Sequence, residues 1–119
     1  MSRAAKSLFV FGIYICVLGL LLLLVPNLLL PLFGVPETNE VWIRLNGMFL
    51  LCLSFYYIQA ARNELTDFIR WTVPARIAVI FYFIAFVFLI SAPKPLLIFG
   101  LIDLLAAIWT WLALKKQDL

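Results

Sequence analysis

Histidine is absent from the 119-residue chain, and cysteine and charge are scarce. The lack of histidine removes the commonest general base and the commonest zinc ligand. The two cysteines, Cys16 and Cys52, lie in apolar segments and form no C-x-x-C pair, which argues against a metal site or a redox motif. There is also no glycine-rich phosphate loop and no nucleophile elbow. We therefore predict no metal, no cofactor and no enzymatic activity.

Charged residues make up only 13% of the chain, whereas hydrophobic residues make up 66%. A soluble domain has about 25% charged and about 45–50% apolar residues. A chain this short cannot hide so much apolar surface in a core surrounded by water, so lipid is the expected surrounding. The net charge of +3 does not indicate nucleic acid, because the basic residues lie at the ends of apolar segments rather than in an exposed stripe.

Four apolar segments are each long enough to cross a hydrocarbon core about 30 Å thick as a helix. Helices are expected because backbone groups in lipid must find their hydrogen-bond partners within the same segment. The sequence therefore predicts one integral membrane domain over residues 1–119, an all-α four-helix transmembrane bundle. The predicted spans cover about residues 8–25, 41–61, 73–92 and 96–114.

Lysine and arginine are concentrated at one end of the predicted bundle. That end carries Arg3, Lys6, Arg62, Arg70, Arg76, Lys115 and Lys116, and the other end carries Arg44 and Lys94. The positive-inside rule then predicts a multi-pass protein of the cytoplasmic (inner) membrane with both termini in the cytoplasm. For Arg62, Arg70 and Arg76 the favoured interpretation is a solvated turn whose arginines set topology, and contact with anionic lipid headgroups is the alternative.

The connection after the first span, PNLLLPLFGVP over residues 26–36, is apolar but contains three prolines. The favoured interpretation is a kinked extension of the first helix, because proline kinks are common in membrane helices. A re-entrant dip is the alternative, and it requires cover by protein or by a wet cavity.

An acidic residue, Asp103, lies about 10–12 Å deep in the fourth span by helix rise. An isolated carboxylate at such a depth costs at least about 2.5–3.5 kcal/mol, so it needs a partner. Arg44 is the predicted partner, since it lies near the start of the second span on the same side of the membrane and Asn46 is close to it in sequence. The sequence thus predicts a buried polar cluster of Arg44, Asn46 and Asp103. This cluster either fixes helix packing or binds a headgroup, an ion or a proton.

Two further sets of residues have predicted roles within the spans. Polar side chains predicted to line a cavity, or to hydrogen-bond between helices, are Cys52, Tyr56, Gln59, Tyr82 and Thr110. Small residues predicted to allow close approach of helices are Gly12, Cys16, Gly19, Gly47 and Gly100.

Three stretches carry a resemblance to a known group: IRLNG (43–47), TVPAR (72–76) and GLIDLLAAIWT (100–110). With the size and span layout, they resemble small four-span bacterial membrane proteins of the DoxX-like kind. The resemblance implies a bacterial cytoplasmic membrane. It supplies no catalytic residue.

Three functions fit these observations. The first is a non-enzymatic accessory or assembly subunit, which has membrane lipids and either a membrane protein or a second copy of itself as partners. The second is a small ion or solute transporter or channel that uses Arg44 and Asp103. The third is a membrane protein or enzyme that binds a lipid or a quinone-like molecule. Nucleic acid is not an expected partner.

Overall fold

The computed structural model describes residues 1–118, and the side chains of residues 1–117. The helices are α1 (Arg3–Leu24), α2 (Pro26–Leu29), α3 (Val41–Arg62), α4 (Thr66–Leu89) and α5 (Leu97–Asp118), with 3₁₀ turns at Leu30–Phe33 and Lys94–Leu96. Four of the helical segments, 3–24, 41–62, 66–89 and 94–117, are long and apolar enough to cross a membrane. The predicted all-α bundle of four apolar helices is confirmed, and the chain is a multi-pass membrane protein.

Helix α4 begins well before the predicted third span, at Thr66 rather than at residue 73. The connection from α3 is correspondingly short and includes Glu64 in a left-handed conformation with φ of 53°. Asp67 in the first turn favours an early helix start, because a negative charge there complements the helix dipole. Pro74 lies within α4 and removes one backbone N–H without ending the helix.

The four long helices form an open arrangement in which each helix has different neighbours. Helix α1 packs along α3 and along α5, and α5 also packs along α4, whereas α3 and α4 make few contacts with each other. The order across the molecule is therefore α3, α1, α5, α4. This order is consistent with a flattened molecule of 47 × 29 × 17 Å. Helices α3 and α4 flank an opening in the side of the bundle.

The α1–α3 interface is built around glycines. A Cβ atom added at Gly47 would lie 2.6 Å from the backbone nitrogen of Leu23 and 2.7 Å from the carbonyl oxygen of Gly19. Gly12 faces Ile58 in the same interface, and its added Cβ would lie 3.0 Å from the Ile58 side chain. The two backbones therefore approach more closely than any larger residue allows, as small residues permit in membranes.

Two other small residues of the predicted packing set lie elsewhere. Gly100 of α5 packs against Ile80 of α4, where an added Cβ would lie 2.7 Å from the Ile80 Cδ1 atom. Cys16 of α1 is half-buried.

The proline-rich connection covers one end of the bundle. Helix α1 ends at Leu24, Val25 interrupts the helical conformation, and α2 follows directly. The 3₁₀ turn then places the centroid of the Phe33 ring 4.3 Å from the centroid of the Phe99 ring on α5. Gly34 reverses the chain with φ of 73°, a conformation that glycine adopts without steric cost. The segment starts as the kinked extension favoured by the sequence and then crosses to α5.

At the opposite end, backbone groups at the start of α1 are hydrogen-bonded to other helix ends. The Ser2 N–H donates to Glu64 Oε1 at 2.6 Å, and the Ala4 N–H donates to Gln117 Oε1 at 3.1 Å. The Ser2 hydroxyl caps the helix by accepting from the Ala5 N–H at 3.1 Å. The hydrogen bond from the Ser2 N–H lowers the pKa of the Glu64 carboxyl below its ordinary value.

Candidate ligand cavity

A cavity of about 640 Å³ lies within the bundle. Small-molecule sites have volumes of about 300–1,000 Å³. The cavity is lined from α3 by Ile43, Asn46, Leu50, Leu53 and Tyr57, and from α4 by Ala75, Arg76, Val79, Phe83 and Phe86. Each set recurs at helical spacing and therefore forms one face of its helix. Residues 43–57 extend about 21 Å along α3, so the cavity is elongated along the bundle.

The cavity opens sideways between α3 and α4. Leu53 on one rim retains 37% of its surface exposed, and Phe86 on the other rim retains 43%. Ala75 and Asn46 also line the cavity and are exposed. The end of the cavity is covered by Leu29, Leu30 and Phe33 from the connection between α1 and α3. The opening therefore faces the side of the bundle, where lipid is expected, and apolar side chains form part of its rim.

The cavity wall is mainly aliphatic and aromatic, with a few polar residues. The polar members are Tyr14, Asn46, Tyr57, Arg76 and Asp103. Asn46 is five residues inside α3 and Asp103 six residues inside α5, counted from Val41 and Leu97. By helix rise both lie about 8–9 Å from the same end of the bundle. The combination of an apolar wall with a few placed polar groups is typical of small-molecule sites.

Arg76 is the cation of this cavity and is only 1% exposed. It lies ten residues inside α4, counted from Thr66, which is about 15 Å by helix rise. Its Nη2 atom donates to the hydroxyls of Thr72 and Thr110 at 3.0 and 2.8 Å. The guanidinium carbon lies 4.9 Å from the centroid of the Phe11 ring, a cation–π contact.

Thr110 connects this arginine to α1. Its hydroxyl is 2.6 Å from the hydroxyl of Ser7, and both residues are fully buried. The Ser7 hydroxyl also donates to the Ala4 carbonyl at 2.7 Å. One buried network therefore joins α1, α5 and α4 and holds the guanidinium of Arg76 in place. A buried polar network whose members are hydrogen-bonded is rigid.

The predicted pairing of Arg44 with Asp103 is wrong. The Arg44 Nη1 atom instead donates to the carbonyl oxygen of Leu23 at 2.6 Å, and more weakly to that of Leu24 at 3.4 Å. These carbonyls are at the end of α1, where the last turn lacks intrahelical donors and the helix dipole favours a cation. Of the predicted cluster, only Asn46 and Asp103 line the cavity.

Both interpretations of Arg76 are wrong, because a side chain that is 1% exposed is neither solvated nor in contact with lipid headgroups at the bundle surface. The early start of α4 explains the error: it shifts Arg76 from the entry of a helix to its interior. The sequence did contain a signal, since Thr72 and Arg76 are four residues apart and therefore adjacent on a helix.

The other two arginines of that set, Arg62 and Arg70, are exposed. A second pocket of about 340 Å³ is lined by Arg70, Lys115, Trp71 and Trp111, among others. The Lys115 ammonium lies 4.6 Å from the Trp111 ring centroid. Headgroup contact at Arg62 and Arg70 stays a prediction.

The residues predicted to line a cavity lie outside this one. Tyr56 and Tyr82 retain 61% and 63% of their surface exposed, and Cys52 is also exposed. Gln59 is half-buried, and Thr110 lies behind Arg76 in the buried network. The helix register explains the difference: the cavity face of α3 is Asn46, Leu50 and Tyr57, which Cys52 and Tyr56 do not share.

No family model, curated protein or solved structure matches this chain. The resemblance to DoxX-like proteins therefore stays a prediction.

Proposed function

We propose that this membrane protein binds a single-chain amphiphile, which enters the cavity from the bilayer between α3 and α4. The observation that carries the proposal is the elongated apolar cavity, which is open sideways and has Asn46, Arg76 and Asp103 as polar residues of its wall. A molecule with a hydrocarbon tail and a small polar head matches this distribution of surface. Apolar burial supplies affinity, at roughly 0.8 kcal/mol per buried CH₂ group.

The proposal is tested by closing the opening. The chain is purified in nanodiscs with a defined mole fraction of 1-monooleoylglycerol, and native mass spectrometry counts bound molecules. The wild type is expected to retain one molecule. Ala75→Trp is expected to lose it, because Ala75 lines the rim and an indole would occupy the opening.

The matched control is Phe81→Trp on the same helix. Phe81 retains 65% of its surface exposed and does not line the cavity, so this variant should bind as the wild type does. Equal binding by the wild type and Ala75→Trp would contradict the proposal, as would a wild type that retains no molecule at any mole fraction tested.

The sequence also predicted two other functions, a transporter and an accessory or assembly subunit. The transporter prediction used Arg44 and Asp103 together, and that pair does not form. The accessory or assembly subunit stays a prediction that partner isolation would test. No contact within the described chain favours either one over amphiphile binding.

A further inference from the structure

Two polar atoms at the cavity wall have no hydrogen-bond partner among the described residues: the Tyr14 hydroxyl and the Arg76 Nη1 atom. Both are buried, and leaving a buried polar group unpaired costs about 1–3 kcal/mol. Nearly all buried polar groups in proteins have partners, so two orphans beside one cavity indicate that the polar arrangement there is incomplete.

Asp103 is the acidic residue of the cavity wall. It is half-buried on the cavity wall, and within residues 1–118 its carboxylate makes no hydrogen bond and no ion pair. Thr110, which binds Arg76, is seven residues further along α5, or about 10 Å by helix rise. The carboxylate and the guanidinium therefore occupy one cavity without touching, and Asn46 lies at the depth of Asp103.

The chemistry of these groups defines what a bound head group must offer. A carboxylate accepts hydrogen bonds, so Asp103 requires a donor. The Asn46 side chain both donates and accepts, and the guanidinium of Arg76 only donates. A hydroxyl group is able to pair with any of the three, since it has one donor and two acceptor lone pairs, and the hydroxyls of one head group match Asp103 and Asn46, which lie at the same depth.

Charge restricts the head group further. When Asp103 is ionised, its negative charge balances the positive charge of Arg76, so an uncharged ligand leaves the cavity neutral. A carboxylate or phosphate head would add an unbalanced negative charge at membrane depth, and an ammonium head an unbalanced positive one. Isolated charges at such depth cost several kcal/mol.

We propose that the cavity selects amphiphiles with an uncharged, hydroxylated head, of the monoacylglycerol class, whose hydroxyls bind Asp103 and Asn46. This inference rests on the proposed function, because it assigns the head group of the amphiphile bound there. Asp103 balances the fixed positive charge of Arg76, so the cavity discriminates against anions only while Asp103 is present.

The test compares three molecules with the same tail: 1-monooleoylglycerol, oleate and oleylamine. Binding to nanodisc-embedded protein is measured at about pH 8.5, an alkaline pH chosen to ionise the carboxyl groups, which is still below the ordinary amine pKa of about 10.4. The wild type should bind 1-monooleoylglycerol at least about tenfold more tightly than either charged molecule, as one unbalanced charge predicts.

The deciding variant is Asp103→Asn, which keeps the side-chain size and removes the negative charge. It leaves the charge of Arg76 unbalanced, so the ratio of oleate affinity to 1-monooleoylglycerol affinity should rise by about tenfold. Asp67→Asn makes the same substitution at an exposed position in the first turn of α4 and should leave the ratio unchanged. An unfolding midpoint for each variant confirms that the fold is intact.

The outcomes separate this inference from the proposed function. Equal binding of all three molecules, or tighter binding of oleate by the wild type, overturns the head-group assignment and leaves amphiphile binding in place. A ratio that Asp103→Asn does not change also overturns it. Failure of all three molecules to bind removes the proposed function and this inference with it.

Discussion

Helix α3 contributes to two very different regions, a tight contact with α1 on one face and an open cavity facing α4 on the other. On the α1 face, Gly47 lies against backbone atoms at distances that exclude even a Cβ atom. On the α4 face, leucine and asparagine side chains line a space of about 640 Å³. The comparison indicates that α1 and α3 form a rigid unit, and that the cavity results from α3 and α4 remaining apart.

The largest expected effect comes from enlarging Gly47. Gly47→Ala forces a Cβ against Leu23 and Gly19 backbone atoms, which cannot shift independently, and overpacking typically costs about 1–3 kcal/mol. The free energy of unfolding in mixed micelles measures this loss. Gly12→Ala is the milder control, since its Cβ meets Ile58 and Tyr57 side chains. An equal loss at the two positions would contradict the distinction between backbone and side-chain contact.

A second effect is expected from the network behind the cavity. Thr110→Val keeps the side-chain shape but removes the oxygen that accepts from Arg76 and meets Ser7. Leaving these buried groups unpaired should lower the free energy of unfolding by about 1–3 kcal/mol. Thr66→Val, at an exposed threonine, serves as the control. The same unfolding midpoint for Thr110→Val and wild type would show that the network does not stabilise the fold.

A smaller, pH-dependent effect is expected at the end where α1 begins. The pKa of Glu64 is lowered in the folded state, so its stabilising contribution is present above the ordinary carboxyl pKa and is lost as the pH falls through the folded value. Glu64→Gln should therefore be less stable than wild type at neutral pH, and the difference should vanish in acid. Unfolding midpoints across pH measure this, with Glu37→Gln at another exposed glutamate as control. A difference that persists unchanged into acid would contradict the linkage.

The smallest expected effect on stability comes from filling the opening. Ala75→Trp adds bulk where α3 and α4 are apart, so the free energy of unfolding should change by no more than about 0.5 kcal/mol. A loss as large as that of Gly47→Ala would mean that the opening is packed as tightly as the α1–α3 interface.

The apolar run lengths predict the four spans well because length and composition alone decide whether a segment can cross a membrane. The start of α4 is harder to predict, because the polar residues Thr66 and Asp67 suit a solvated turn and a first helical turn equally well. Because the helix start was predicted too late, Arg76 was predicted to lie at the surface, whereas it is buried.

The predicted pairing of Arg44 with Asp103 is wrong for a different reason. Arg44 and Asp103 lie in the first two turns of α3 and α5, which begin at the same end of the bundle, so depth alone predicts that they are neighbours. The competing acceptors are backbone carbonyls at the end of α1, and every residue carries a carbonyl, so no sequence pattern marks them. Which helices are neighbours also determines the outcome, since the order α3, α1, α5, α4 is not encoded in any single segment.

The cover formed by residues 26–33 closes the end of the cavity and leaves the side between α3 and α4 as the route of entry. Exchange of the proposed amphiphile through that side would take place in the plane of the bilayer, so its collision rate would depend on lateral diffusion. The quantity that determines occupancy is then the mole fraction of ligand among the surrounding lipids, and the concentration in water enters only through partitioning. Affinities for the proposed amphiphile should therefore be comparable between membranes when they are expressed as mole fractions of lipid.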